Sequence, residues 1–239
     1  MNLSVGKIYL IPTPLSEDSA SSFVPYNYAI IEKLRIFVVE ELRTARRFLR
    51  KLSPDFPIDD CQFYVLNEHT VKTMDFSEIL KEAINGKDIG LMSEAGLPCI
   101  ADPGSEFVAL AHTKNITVIP LVGASSIFMT LMASGLCGQR FAFHGYLPTD
   151  KTDLTASLRK LEQQSRTEQQ TQIFMETPYR NMQLLETLLK FCREETLLCI
   201  ACNISGKEEY IKTKTIAQWK KSTLPQLHKK PTVFAMALL

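Results

Sequence analysis

The strongest constraint on this chain is the order in which short apolar runs and helix-patterned segments alternate. "KIYLI" is followed by "YAIIEKL", "IFVVE" by "EELRTARRFLRKL", "CQFYVL" by "FSEILKEAI", "IGLMS" by "EFVALAH", and "TVIPL" by "SSIFMTLMAS". Strand followed by helix, repeated about five times, predicts a largely parallel sheet with helices on both faces, because parallel neighbours need a crossover and the crossover helices cover the sheet. Local punctuation agrees. Asp75 and Glu78 form a capping-box pattern before a helix that Gly86 closes, and Asp102 before Pro103 reads as an N-cap with proline at the first helical position.

The pattern restarts after "ASGLCGQR" with "FAFHGYL", "LTASLRKLEQ", "TQIFME" and "YRNMQLLETLLKF", and then changes order. "TLLCIACNIS", "EEYIKTKT" and "TVFAMALL" crowd together with only a short helix around Trp219, which implies antiparallel pairing and a mixed sheet. We therefore expect an α/β protein of two domains, with a mainly parallel N-terminal sheet in residues 1–136 and a mixed C-terminal sheet in 137–239. With 45% hydrophobic and 22% charged residues the chain can build real cores, which argues against disorder. The apolar start is too short for a signal peptide and no run approaches about eighteen apolar residues, so a cytoplasmic protein with no membrane segment is expected.

Cysteine and histidine usage bears on metal and redox chemistry. Six cysteines without a secretion signal read as reduced, buried apolar side chains. Cys199 and Cys202 form the one C-x-x-C, but in a strand residues three apart face opposite sides, so no shared site follows. With four scattered histidines and no clustered cysteines, no metal is expected. His144 lies in an apolar strand and reads as a core histidine, whereas His69 in "LNEHT" follows a strand end and is a candidate substrate contact.

Ligands of open α/β sheets collect beyond the carboxyl ends of the strands. Three loops occupy that position: Pro12–Ser19, Ser93–Gly104 and Leu121–Ser126. None carries a phosphate-binding glycine pattern, and Glu94 and Asp102 would repel a pyrophosphate. A ligand with hydroxyls, an amine and a positive centre suits the loops better. Read alone, Asp102 is equally a helix cap and Glu94 a solvated acid. Arg43, Arg46, Arg47 and Arg50 share one helix face opposite Leu42, Ala45, Phe48, Leu49 and Leu52, and form either a solvated face or a phosphate-binding row. The net charge of +1 gives no global reason to expect nucleic acid.

The segments "IYLIPTPLSED", "VVEELRTARRFL", "LNEHT", "GLMSEAGLPCIADPG", "VIPLVGASS", "FAFHGYLP" and "IFMETPYRN" resemble, in order and spacing, motifs of the tetrapyrrole methylase superfamily, most closely its small-subunit rRNA (cytidine-2′-O)-methyltransferase branch. The resemblance covers nearly the whole chain. It implies a two-domain homodimer that binds S-adenosyl-L-methionine between its domains, releases S-adenosyl-L-homocysteine and acts on rRNA in the small ribosomal subunit. Pro12, Ser93, Glu94, Ala95, Gly96, Asp102, Gly123, Ala124, Ser125 and Ser126 would line the cofactor, with Glu176, Thr177 and Ala201 closing over the adenosine. Removal of a ribose proton calls for a nearby base, for which Glu40, Glu94 and Asp102 are the candidates. Arg43, Arg46, Arg47 and His69 would contact substrate. Departures from the family pattern are "TPLSEDS" for T-P-I-G-N-L, Leu42 for the threonine of E-D-T-R, Tyr179 where histidine is commoner, "CNISG" for R-E-L-T-K and, as a milder change that lengthens the carboxylate by one methylene, Glu94 for aspartate, so that the cofactor loop is better kept than the substrate side. They leave open a tetrapyrrole or other small-molecule acceptor, or a non-catalytic cofactor-binding paralogue.

Overall fold

The computed structural model describes residues 4–16 and 24–238. The chain divides into two compact units, Met1–Ala124 and Ser125–Leu239.

The first unit runs β1 (Lys7–Ile11), α1 (Pro25–Ile31), β2 (Ile36–Val39), α2 (Leu42–Leu52), β3 (Gln62–Val65), α3 (Phe76–Ile84), β4 (Ile89–Met92), α4 (Ser105–Thr113) and β5 (Thr117–Pro120). The strands form one parallel sheet in the order β3-β2-β4-β1-β5. Both faces are covered, as the alternation requires. Ile36 and Val38 pack with Ile79, Leu80 and Phe107 on one face, while Phe37 and Val39 pack with Ile31, Phe48 and Leu49 on the other. Each such side chain contributes about 1.5–3 kcal/mol when buried. Gly90 in β4 is required by this packing, since a Cβ there would lie 2.6 Å from the Ile11 side chain.

Helix ends in this unit correct two expectations. Asp75 caps α3 by accepting from the Ser77 amide at 2.9 Å, but without the reciprocal bond from Glu78, and Gly86 closes the helix at φ +91. The N-cap of α4 is Gly104, not Asp102, and helix geometry begins only at Ser105. In α2 the cap is Glu41, whose carboxylate accepts from the amides of Arg43, at 2.8 Å, and Thr44. Leu42, expected on the apolar face, is exposed at the helix start, while Ala45, Phe48 and Leu49 are buried.

The second unit runs α5 (Ser126–Ser134), β6 (Phe141–Tyr146), α6 (Lys151–Glu168), β7 (Thr171–Met175), α7 (Asn181–Phe191), β8 (Leu197–Cys202), β9 (Tyr210–Thr215), α8 (Ile216–Lys220) and β10 (Thr232–Ala237). Its sheet has the order β6-β7-β10-β8-β9. The β6·β7 pair is parallel and the remaining pairs are antiparallel. The boundary lies earlier than the expected 136/137 because Ile127 and Leu131 of α5 pack on Ile173, Cys199, Val233 and Ala235 of this second sheet. The opposite face carries the larger core, where Leu158, Leu185 and Trp219 meet Phe174, Ile200 and Phe234. Cys199 and Cys202 lie in different clusters on opposite faces, as strand periodicity requires. His144 is half-buried and its Nε2 lies 2.6 Å from Gln172 Oε1, a satisfied strand histidine.

Candidate active site

In a parallel sheet all carboxyl ends emerge at one edge, so the loops after β1, β2, β3, β4 and β5 share that edge in the first unit. Loops after β1 and β4 are joined. Thr13 and Gly96 exchange backbone hydrogen bonds of 2.8 and 3.0 Å, and the Thr13 hydroxyl donates to the Ser93 carbonyl at 3.3 Å. Ser93 is buried and its hydroxyl donates to the Gly96 carbonyl at 3.2 Å. Gly96 adopts φ +82, which glycine takes without the steric cost other residues bear. The loop after β5 packs on the loop after β1 so closely that a Cβ on Gly123 would lie 2.1 Å from that of Pro12. Ala124 joins them through its carbonyl, 3.6 Å from where a Gly96 side chain would begin. Pro12, Ser93, Gly96, Gly123 and Ala124 are thus brought together. The departing residues Glu17–Ser19 lie outside the described residues.

Beyond Gly96 the β4 loop turns through two left-handed non-glycine residues, Cys99 at φ 66 and Ala101 at φ 65, and then Gly104 at φ 130. Such backbone costs of order 1–3 kcal/mol at each non-glycine residue and persists only where surrounding structure enforces it. Its consequence is chemical. Because the turn ends at Gly104, the Asp102 carboxylate is not spent on capping α4, and its Oδ2 is buried without a hydrogen-bond donor.

Two acids converge on Asp102 from neighbouring strand ends. Glu40 follows β2 directly and is half-buried, and Glu94 follows β4 and is exposed. Burial, followed by the negative charges of Glu40 and Glu94, raises the Asp102 carboxyl from its ordinary 3.8 to about 7, with the Ser93 hydroxyl pulling weakly the other way. Glu40 is also raised, first by burial and then by the charge of Glu94, while the Glu94 backbone N–H hydrogen-bonded to it opposes the shift. Glu68, after β3, adds to the same negative field. These groups can bind a cationic or hydroxyl-rich ligand, and Asp102 can take up a proton near neutral pH. A polyphosphate would meet only repulsion.

The expected substrate residues are less concentrated. Arg43 and Arg47 are exposed on α2, and Arg46 pairs with Asp59 at 3.2 Å. His69 is exposed in the turn after β3, where its amide donates to Asn67 Oδ1 at 3.0 Å. Ser125 and Ser126 belong to the second unit, where they open α5. Glu176, at the end of β7, has both carboxylate oxygens occupied, by the Thr177 amide at 2.7 Å and by Arg180. Ala201 is buried inside β8 between β10 and β9, so within its own unit it offers no open surface.

Some site residues escaped sequence reasoning. Thr13 was hidden between two prolines, and Glu68 beside the more conspicuous His69. Asn27 is fully buried in α1 and donates from Nδ2 to the Val122 carbonyl at 2.7 Å, fixing α1 to the β5 loop. A polar residue within the apolar run "PYNYAII" was its only signal.

A parallel sheet with its strand-end loops at one edge in the first unit, and a mixed sheet with one parallel pair in the second, make this a two-unit α/β protein. This chain belongs to the family of Tetrapyrrole (Corrin/Porphyrin) Methylases, whose sequence model matches residues 26–219. Among its relatives are proteins named Ribosomal RNA small subunit methyltransferase I. That of Synechocystis sp. is 30% identical over 205 residues, covering 86% of this chain and 69% of the relative. That of Buchnera aphidicola subsp. Schizaphis graminum is 30% identical over 225 residues, covering 90% and 73%. The fold is shared with the methyltransferase CobJ, at a TM-score of 0.62 and 14% identity over 97% of this chain and 94% of that one. It is shared too with uroporphyrin III C-methyltransferase from Thermus thermophilus, at 0.53 and 16% over 97% of each chain. The chain is a methyltransferase, and no helix among the described residues is long and apolar enough to cross a membrane.

Proposed function

We propose that this protein transfers a methyl group from S-adenosyl-L-methionine to a ribose 2′-hydroxyl of small-subunit rRNA. The observation that carries the reading is the cluster of Glu40, Glu94 and Asp102 at the strand ends of a methylase sheet, with Asp102 left uncapped and its Oδ2 unpaired. An acceptor set of carboxylates suits a ligand that carries an ammonium, a sulfonium and ribose hydroxyls, and the joined loops of Pro12, Ser93, Gly96 and Gly123 supply backbone for its close approach. The rRNA acceptor rests on the names of the relatives.

When bound, S-adenosyl-L-methionine supplies an electrophilic methyl on a cationic sulfur. The protein's own part is alignment and proton management, which suits a reaction whose acceleration comes mainly from positioning. Glu40 and Glu94 provide negative charge beside the positive centre, and Ser93 and Gly96 hold the loop in place. Asp102, with its carboxyl near 7, would serve as the base for the proton of the acceptor hydroxyl. Arg43, Arg46 and Arg47 would offer planar forks to a phosphate of the RNA backbone. Ser125, Ser126, Glu176, Thr177 and Ala201 retain cofactor roles in this reading through the family motif, and His69 a substrate role. A homodimer completes the proposal, supported by the exposed Phe128 and Met132, one turn apart on α5. Light scattering at twice the 27.0 kDa chain mass tests it.

The decisive assay is transfer of labelled methyl from S-adenosyl-L-methionine to isolated small ribosomal subunits, with the modified ribose identified by its resistance to alkaline cleavage. Glu94→Lys, an exposed change that reverses the charge beside the cofactor, is expected to abolish calorimetric cofactor binding in a folded protein. Full binding by that variant, or wild-type turnover only on small molecules, overturns the proposal.

A further inference from the structure

At the carboxyl edge of the second sheet, the turn after β7 holds an aromatic ring out in solvent on a rigid mount. Glu176 fixes the turn through the Thr177 amide and Arg180, and the Arg180 amide donates to the Thr177 carbonyl at 2.9 Å. Two further bonds fasten it to the segment before β10. The Lys229 amide donates to the Pro178 carbonyl at 2.9 Å, and Nδ2 of the fully buried Asn181 donates to the Lys230 carbonyl at 2.7 Å. Tyr179, carried on this turn, is 68% exposed. Its ring stands edge-to-face with His228 at 6.0 Å, and Lys229 Nζ lies 5.8 Å from its centroid.

Core packing does not require this arrangement, since Tyr179 belongs to none of the buried clusters and leaves most of its surface to water. Nor is it a floppy loop tip, because hydrogen bonds donated by Thr177, Arg180, Lys229 and Asn181 hold its base. Lys229 itself sits at φ 60, a conformation unfavourable for lysine, with its Nζ beside the ring. Neighbouring charges are largely spent internally, Arg180 on Glu176 and Lys230 on Glu208 at 2.8 Å. The ring itself is Lys229's cation–π partner here. A fixed, exposed π-face bordered by a lysine and a histidine matches what an unpaired nucleotide offers, a base to stack and a phosphate within a side chain's reach.

We propose that Tyr179, with His228 and Lys229, is a stacking platform for an unpaired base of the substrate RNA, with Lys229 on the adjoining phosphate. This rests on the rRNA reading above and adds a contact in the second unit that its charge alone does not reveal.

The test uses the full chain, isolated small subunits and a single-stranded oligouridylate. Tyr179→Ala is expected to raise KM for subunits about tenfold, by loss of one stacked base, with kcat and cofactor affinity unchanged. Tyr179→Trp should restore KM and report directly, its exposed indole being quenched on addition of oligouridylate. Lys229→Gln should reduce the salt slope of RNA binding by about one. Unchanged KM in Tyr179→Ala with normal wild-type turnover overturns the platform and leaves the rRNA reading intact. Wild-type protein that binds cofactor but methylates no subunit overturns that reading and the platform with it. Binding of polyglutamate with no response to oligouridylate assigns the patch to a protein partner and also overturns the platform.

Discussion

Replacing Asp102 with asparagine should stabilise the first unit at alkaline pH while disabling the site. Burial, Glu40 and Glu94 raise the Asp102 carboxyl from 3.8 to about 7, so the folded protein keeps a proton that the unfolded chain has already lost. The sign follows from linkage: with the folded pKa raised, stability falls as pH climbs from about 3.8 to about 7 and is level above that. At 1.36 kcal/mol for each factor of ten, the ceiling of the effect is about 4 kcal/mol. Asp102 is only partly buried, and solvent screening brings the expected figure down to about 1–2 kcal/mol. Urea unfolding of wild type and Asp102→Asn from pH 4 to pH 8.5 measures it. The variant should gain about 1–2 kcal/mol over wild type at pH 8, and the difference should close towards pH 4. Parallel curves for the two proteins, or a variant weaker at pH 8, would refute the claim that Asp102 is held against ionisation. Stability gained with activity lost is the usual mark of a residue placed for function.

Further outcomes follow from other parts of the molecule. Calorimetric affinity for S-adenosyl-L-methionine should rise between pH 6 and pH 8 in wild type, as Asp102, raised to about 7, gains its negative charge, and that rise should be lost in Asp102→Asn. Gly123→Ala should cost about 1–3 kcal/mol in urea unfolding, because the new methyl would meet the Pro12 ring at 2.1 Å. Glu162 is buried on α6 and accepts from the Arg193 amide at 2.8 Å and from the Thr196 hydroxyl. Glu162→Ala should therefore destabilise the second unit by about 2–4 kcal/mol, read by fluorescence of the single, fully buried Trp219. Arg43→Ala with Arg47→Ala should weaken RNA binding and reduce its salt dependence without altering cofactor affinity, as filter binding at several salt concentrations would show.

Much of the fold was legible because its signals are local. Every strand and helix read from apolar periodicity has a counterpart in the structure, and Cys199 and Cys202 face apart because strand geometry alone demands it. Caps and boundaries were less legible. Asp102 followed by proline has the composition of a helix cap, yet left-handed backbone at Cys99 and Ala101 carries the chain past it to Gly104. α5 reads as the last helix of the first half, but whether Ile127 and Leu131 pack on one sheet or the other depends on strands that come later in the chain.

The candidate site divides in the same way. By itself the sequence determined the order of elements, the strand ends at which a ligand must gather, and the acids stationed there, since each follows from spacing within a short stretch. Only the tertiary structure decided that Glu41 caps α2 while Glu40 turns to the cluster, that Glu176 is occupied by its own turn, and that Asp102 holds a proton near neutral pH. An acid's proton affinity is set by burial and by the charges around it. Glu40, Glu94 and Asp102 become neighbours only when β2 and β4 pair side by side in the sheet.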